Sequence, residues 1–407
     1  MAGESKRFEA VSITTGALPE PLPIVRGTFQ CVRRFKRVVT AATAAGLVVG
    51  STATACSSFG SATPDEADAS LDRDALDADE ADASLDRDVL DAADALAREY
   101  LYIFGGTPID GYRAETLSDG QLGVWERVPA LDMLRDGFGS VNVPAGLIAV
   151  AGNHLNEAGV VAAYDVNSVE FAPYDGGFGT WRPAPPLPVG RGAIAVASTS
   201  AFLYAVGGSN AGNRSANVFV SSLSSGGPSA WSTLVSDLPA PSIVTSVVSG
   251  GRLYAVGIGS ASPTEVASAA TLADGAVGEW IDAGTIGTLA DEAVGSEALV
   301  LAGSRLHALG GRDFNNGASA KVWTGTIDAP SGAVSWVKNA PLPTPTSGPC
   351  AVGRGDLVYV LGGLGIVTPG TASDAVAVGR VDAAGTITWK TLSPLPQPRS
   401  GFGCAIR

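Results

Sequence analysis

LYIFGG (101–106), LIAVAG (147–152), LYAVGG (203–208), LYAVGI (253–258), LHALGG (306–311) and VYVLGG (358–363) are six variants of one short segment. Each is an apolar run that stops on small residues, and successive copies are separated by about 51 residues. A tryptophan follows every copy: Trp125, Trp181, Trp231, Trp280, Trp336 and Trp389. After Trp181, Trp231, Trp336 and Trp389 comes a proline-marked turn, PPLP, DLP, APLP or SPLP. Apolar residues in an unbroken run read as a strand buried on both faces. A unit of roughly 50 residues built from strands is the period of propeller blades, in which every sheet is sandwiched between two neighbours. The stretches TLSDGQLGVW (116–125), TLADGAVGEW (271–280) and RVDAAGTITW (380–389) read as hairpins around D-G or A-G turns.

The order of apolar strand, double glycine, tryptophan, proline turn and arginine resembles the kelch repeat, over about 310 residues. Arg135, Arg191 and Arg399 match that family's arginine after the turn. The fourth repeat departs from the pattern: Ile258 replaces its second glycine, and IGTL (286–289) replaces its proline turn. The resemblance implies an all-β, six-bladed kelch-like β-propeller of four-stranded antiparallel blades over residues 98–407. REYLYIFGG (98–106) reads as a second strand with no first strand before it, and PRSGFGCAIR (398–407) as a first strand with no blade after it. Pairing of residues 401–406 beside 99–106 is therefore expected to close the ring and remove an open sheet edge.

The chain ahead of this region divides by charge. Residues 1–56 carry a net charge of +4, residues 65–99 a net −11, within a total of −14. Arg33, Arg34, Lys36 and Arg37 precede 18 residues without a charge, VVTAATAAGLVVGSTATA (38–55). That run, rich in Ala, Thr and Gly, is weakly apolar for a membrane span and fits a signal peptide over residues 32–55. ATAC (53–56) resembles the lipobox of bacterial lipoproteins, with Ala53 where that family has leucine, which implies lipidation of Cys56. An unmodified cysteine after a simple signal peptide is the alternative. Residues 1–31 are longer than a bacterial n-region needs and are expected to be an untranslated or disordered leader, with translation starting at Val32. Residues 56–97 hold a tandem repeat, DEADASLDRDALDA (65–78) and DEADASLDRDVLDA (79–92). Asp is a poor helix former and like charges repel, so a disordered, self-extending spacer is expected, the one place where helix could form. Its carboxylates leave a calcium site open, although Asp77–Asp82 lacks the glycine turn and terminal glutamate of an EF-hand loop.

Composition narrows function more than it defines it. The acidic balance excludes nucleic acid as the main partner, since phosphates demand stripes of Lys and Arg. Four cysteines and two histidines leave little for a zinc or iron–sulfur site, no glycine-rich loop leads a strand into a helix, and no cofactor is expected. Loops after the glycines and turns after the tryptophans share one rim, where His154, Asn156, Asn210, Arg214, Arg312, Asp313, Asn315 and Asn316 form a candidate binding face. The plain alternative is that Asn, Asp and Gly sit there because they tolerate tight turns. His307 takes the place of the tyrosine of LYAVGG and is expected inside the sheet. Cys350 and Cys404 fall in the first strands of neighbouring blades; their alignment differs by about one position and adjacent strands diverge, so two buried free thiols are expected. The reading is an exported, lipid-anchored, monomeric module at the bacterial cell envelope that binds a protein or a glycan. A periplasmic carbohydrate-active enzyme on the same scaffold, like the sialic-acid mutarotases of kelch type, is the alternative. A proteome digest should yield no peptides from residues 8–26; recovering them would show that the leader is made.

Overall fold

The computed structural model describes residues 98–174, 178–258, 264–287, 298–312, 317–365 and 370–407. The chain divides into two compact units, Met1–Leu71 and Asp72–Arg407, and the described residues belong to the second. The expected leader, signal peptide, Cys56 and acidic spacer lie outside the described residues.

Among the described residues every regular element is a β-strand. The strands form antiparallel sheets, here numbered one to six and given from their innermost strand outward. The first sheet is Gly403–Ile406, Tyr100–Phe104, Gly111–Glu115 and Glu126–Val128. The second is Gly139–Val143, Gly146–Val150, Val169–Pro173 and Arg182–Ala184. The third is Ala195–Ser198, Phe202–Val206 and Val218–Ser224, the last pairing both Gly227–Pro228 and Ser232–Thr233. The fourth is Thr245–Ser249, Arg252–Ile258, Thr264–Ala270 and Ile281–Ile286. The fifth is Ala298–Ala302, Arg305–Leu309, Val322–Ile327 and Val334–Lys338. The sixth is Cys350–Arg354, Leu357–Leu361, Val376–Val381 and Ile387–Thr391.

The repeated apolar segments are the second strands, and burial on both faces explains why they do not alternate. Leu101 and Ile103 pack with Leu357, Tyr359 and Leu361 of the sixth sheet, whereas Tyr102 and Phe104 pack with Leu147 and Ala149 of the second. Leu253, Tyr254, Ala255 and Val256 are all fully buried in the same way, shared between the third and fifth sheets. The tryptophans reinforce these contacts at the outer edge. The Trp231, Trp280 and Trp389 indoles donate to the carbonyls of Pro185, Ser236 and Ala340, at 3.0, 3.3 and 3.0 Å, each in the preceding repeat.

The double glycines perform a second task. The amides of Gly106, Gly152, Gly208, Gly311 and Gly363 donate to the backbone carbonyls of Arg135, Arg191, Ser242, Thr346 and Arg399, at 2.8 to 3.0 Å. Each bond ties the end of a second strand to the turn that leads into the next repeat. At Gly106 the backbone has φ +74°, and a Cβ there would stand 2.7 Å from the Phe402 side chain, so no larger residue fits without displacing a neighbour.

The C-terminal strand closes the first sheet as expected: Leu101 faces Ile406 and Phe104 faces Gly403. The expectation of two free thiols is overturned, because Cys350 and Cys404 form a disulfide with a Cα–Cα distance of 5.9 Å. Cys350 pairs with Leu361 and Cys404 with Ile103, so the two do sit one step apart along their strands. Innermost strands of successive sheets nevertheless converge; a Cβ on Gly353 would collide with the Leu301 carbonyl of the sheet before. That convergence brings the offset cysteines within bridging reach. Across 54 residues, the bridge is worth about 4 kcal/mol by the chain-entropy rule.

Cys404→Ala should therefore lower unfolding free energy by about 2–5 kcal/mol in denaturant titrations. Deleting residues 400–407 should abolish the cooperative melting transition altogether, because it also exposes the edge of the Tyr100–Phe104 strand.

Candidate functional site

The rim is built from the segments that follow the double glycines and from the turns they are tied to. After Gly208 the chain forms a small ribbon, Ser209–Asn210 against Asn213–Arg214. After Gly152 it forms Asn153–Leu155 and Val161–Ala163, joined by Arg135–Asp136 into a three-stranded sheet. Backbone bridges continue this pattern: Thr107 with Ser400, Gly192 with Ser209, and Leu364 with Ser347. Among the described residues, these rim segments continue the backbone pairing of the sheets.

The described candidate side chains lie on these rim segments, and those of Asn156, Asn210 and Arg312 make local hydrogen bonds. His154 is half-buried, its backbone paired with Arg135 and Ala163. The Asn156 carboxamide oxygen accepts the amides of Ala158 and Val160, each at 3.0 Å, which closes the hairpin tip. Asn210 donates its side-chain amide to the Gly190 carbonyl at 2.8 Å. Arg312 is exposed and its Nε donates to the Ser347 hydroxyl at 3.1 Å. Arg214 is exposed on its ribbon. Asp313, Asn315 and Asn316 lie outside the described residues.

A chain of polar contacts that joins the second and third repeats runs through residues the sequence did not single out. Asn153 donates to Asp136 at 3.0 Å and accepts the Asp165 amide at 3.2 Å; the Asp165 carboxylate accepts the Ala211 amide of the next repeat. Asp165 adopts φ +50°; burial lowers the Arg191 pKa, and the Asp165 charge opposes that shift. These loops differ from repeat to repeat, so no periodic signal could have marked them.

The three arginines after the turns are internal supports. Arg135 is fully buried and donates to the carbonyls of Ala151 and Ser168, at 2.9 and 3.0 Å, and to the Glu170 carboxylate. Glu170, itself buried, also accepts the amides of Asp132 and Met133 at 2.8 and 3.1 Å. Burial presses the Arg135 guanidinium below its ordinary value, opposed by the Glu170 charge. At the position of Glu170 the first sheet has Tyr112 and the third has Phe219, and there the guanidiniums of Arg399 and Arg191 lie over rings at 5.5 and 5.4 Å.

His307 is inside the fifth sheet, as expected. Its Nε2 lies 3.2 Å from the Ala302 carbonyl, which can only accept, so Nε2 carries the proton and Nδ1 accepts from the Thr324 hydroxyl at 3.1 Å. Among the described residues, no three His, Cys, Asp or Glu side chains are grouped to hold a metal ion. A cleft of about 370 Å³ lies at a different place, between Val143, Pro144, Ala145, Ser200 and Leu223.

With this geometry in hand, the chain can be set beside known proteins. No protein-family model matches it, and comparison with curated proteins finds no match. Solved structures do match: one titled "Structure of YjhT" aligns with a TM-score of 0.52 over 67% of this chain and 88% of that one, at 14% sequence identity. At that identity the likeness concerns the fold. The fold is a kelch-like β-propeller.

Two measurements probe the buried supports. Glu170→Ala should cost about 3–5 kcal/mol of unfolding free energy, because it strands a buried guanidinium. Burial lowers the His307 pKa from its ordinary 6.5. The unfolded chain then takes up that proton first, so the His307 contribution is complete above about pH 6.5 and is lost as pH falls below it. His307→Tyr, the residue of the equivalent strands, should lose less stability than the parent protein between pH 7 and about pH 5 in paired denaturant titrations.

Proposed function

We propose that this chain is an exported, lipid-anchored, six-bladed propeller whose rim binds a protein or a glycan at the bacterial cell envelope. The blade number rests on the order of the innermost strands. Gly403–Ile406 contacts Gly139–Val143, which contacts Ala195–Ser198; the series continues through Thr245–Ser249, Ala298–Ala302 and Cys350–Arg354 and returns to Gly403–Ile406. Export draws support from the Cys350–Cys404 bridge, since disulfides persist in oxidising compartments outside the cytoplasm. The anchor draws support from the ATAC stretch ending at Cys56. The spacer then holds the propeller away from the membrane, and the module acts as a monomer.

The observation that carries the binding reading is the backbone pairing of the described rim segments. Backbone hydrogen bonds tie described rim segments to the next repeat; exposed Arg214 lies on the Ser209–Asn210/Asn213–Arg214 ribbon, and exposed Arg312 is bridged to Ala318. A preformed polar surface loses little conformational entropy on association, which is how a flat face gains affinity.

Glycan-array and envelope pull-down screens with the mature protein should recover a ligand. The double variant Arg214→Glu, Arg312→Glu should weaken its capture by about tenfold, the effect of reversing two rim charges. Unchanged capture by that variant would remove the rim from the reading. Accelerated interconversion of sialic-acid anomers, followed by NMR, would instead establish the enzyme alternative. Cys56→Ser should shift the protein from the detergent-soluble membrane fraction to the aqueous one if the anchor is correct.

A further inference from the structure

The fourth repeat departs from the others in sequence, and its sheet departs in geometry. Two register shifts interrupt it: one between Val256 and Ile258, the other between Val266 and Ala267. Along the outer pair Glu265 faces Thr285 and Val266 faces Gly284, but Ala267 faces Asp282, so Ala283 is an extra residue, fully buried. In an unbroken ladder Ala267 would face Ala283, and Asp282 would point to the opposite side of the sheet. Side chains alternate along a strand, so the bulge re-aims Asp282 onto the face that carries Glu265 and Thr285. Trp280, two residues before Asp282, shares that face.

These residues line a cleft of about 340 Å³, completed by Ala267 and by Pro239 from the turn of the third repeat. The Trp280 indole N–H is tied to the Ser236 carbonyl at 3.3 Å, which fixes the ring against the wall. Asp282 gives one oxygen to the Gly284 amide at 2.8 Å and keeps the other. The ion pairs formed among the described residues involve neither Glu265 nor Asp282. The cleft therefore offers two carboxylates that no ion pair among the described residues compensates, and a hydroxyl, all able to accept, beside an apolar wall of indole and proline whose aromatic face is itself electronegative.

We propose that this cleft binds a primary alkylammonium group. Its three N–H donors match Glu265, Asp282 and Thr285, its charge offsets the carboxylates, and its methylene stem lies along Trp280 and Pro239. A lysine side chain presents both the ammonium and the methylene stem, and an amino sugar presents the ammonium on a ring carbon. The site does not involve the rim residues and stands apart from the binding role proposed for them.

Isothermal titration of the intact protein with n-butylammonium chloride tests the assignment, with n-butanol, tetramethylammonium chloride and calcium chloride as controls. Butylammonium is expected to bind, n-butanol not to bind, and tetramethylammonium to bind more weakly because it lacks donors. The charge-neutral variant Glu265→Gln, Asp282→Asn keeps the Gly284 hydrogen bond and should weaken butylammonium about tenfold, with unchanged melting. Titration with Nα-acetyl-lysine amide and with glucosamine then separates the two sources, and binding of either supports the site. Equal binding of n-butanol, full binding by the double variant, calcium binding displacing the amine, or no binding of butylammonium would each overturn it.

Discussion

The hydrogen bond from the glycine that ends an apolar run, at Gly106, Gly152, Gly208, Gly311 and Gly363, to a carbonyl of the following turn is the constraint from which the rest follows. It forms in at least five repeats, Gly106 to Arg135 through Gly363 to Arg399. Because it joins the end of one strand to the start of the next repeat, it sets the step between successive sheets. It also requires positive φ and a bare Cα, which is why the apolar run ends in glycine. Trp231, Trp280 and Trp389 do the complementary work at the outer edge, where their indole N–H groups reach carbonyls of the preceding repeat.

Closure depends on the same economy of contacts. A ring of sheets gains from every interface only if the last strand meets the first sheet, and the pairing of Gly403–Ile406 with Tyr100–Phe104 meets that need. The Cys350–Cys404 bridge secures that strand to the sheet behind it. Arg135 shows how the interior tolerates charge: four contacts, to the carbonyls of Met133, Ala151 and Ser168 and to the Glu170 carboxylate, surround one guanidinium that has no access to solvent. Where the equivalent neighbour is Tyr112 or Phe219, a ring face takes over part of that role.

Polar chemistry collects where the repeat is least regular. The loops that form the rim vary from copy to copy, and two register shifts fall in the fourth repeat's sheet, where Ile258 had already broken the glycine pattern. A strictly periodic sheet presents the same faces all round; an inserted residue such as Ala283 turns one carboxylate toward another and makes a cleft out of an edge.

The strand content, the extent of the repeat, the turns of the hairpins, the burial of His307 and the pairing of the two chain ends were all legible in the sequence. Each rests on local chemistry or on a period of about 50 residues that survives in one dimension. The disulfide was not legible, because it depends on how closely inner strands converge, a distance set by packing between sheets and not by alignment within them. The site was legible only as a face: the sequence named Asn156 and Asn210, but their side chains are consumed in holding local backbone. The Asp136–Asn153–Asp165 chain and the Glu265–Asp282 cleft arise from segments distant in sequence and from one extra residue in a ladder. Which face a side chain takes after such a residue is decided by strand register, and register exists only in the folded sheet.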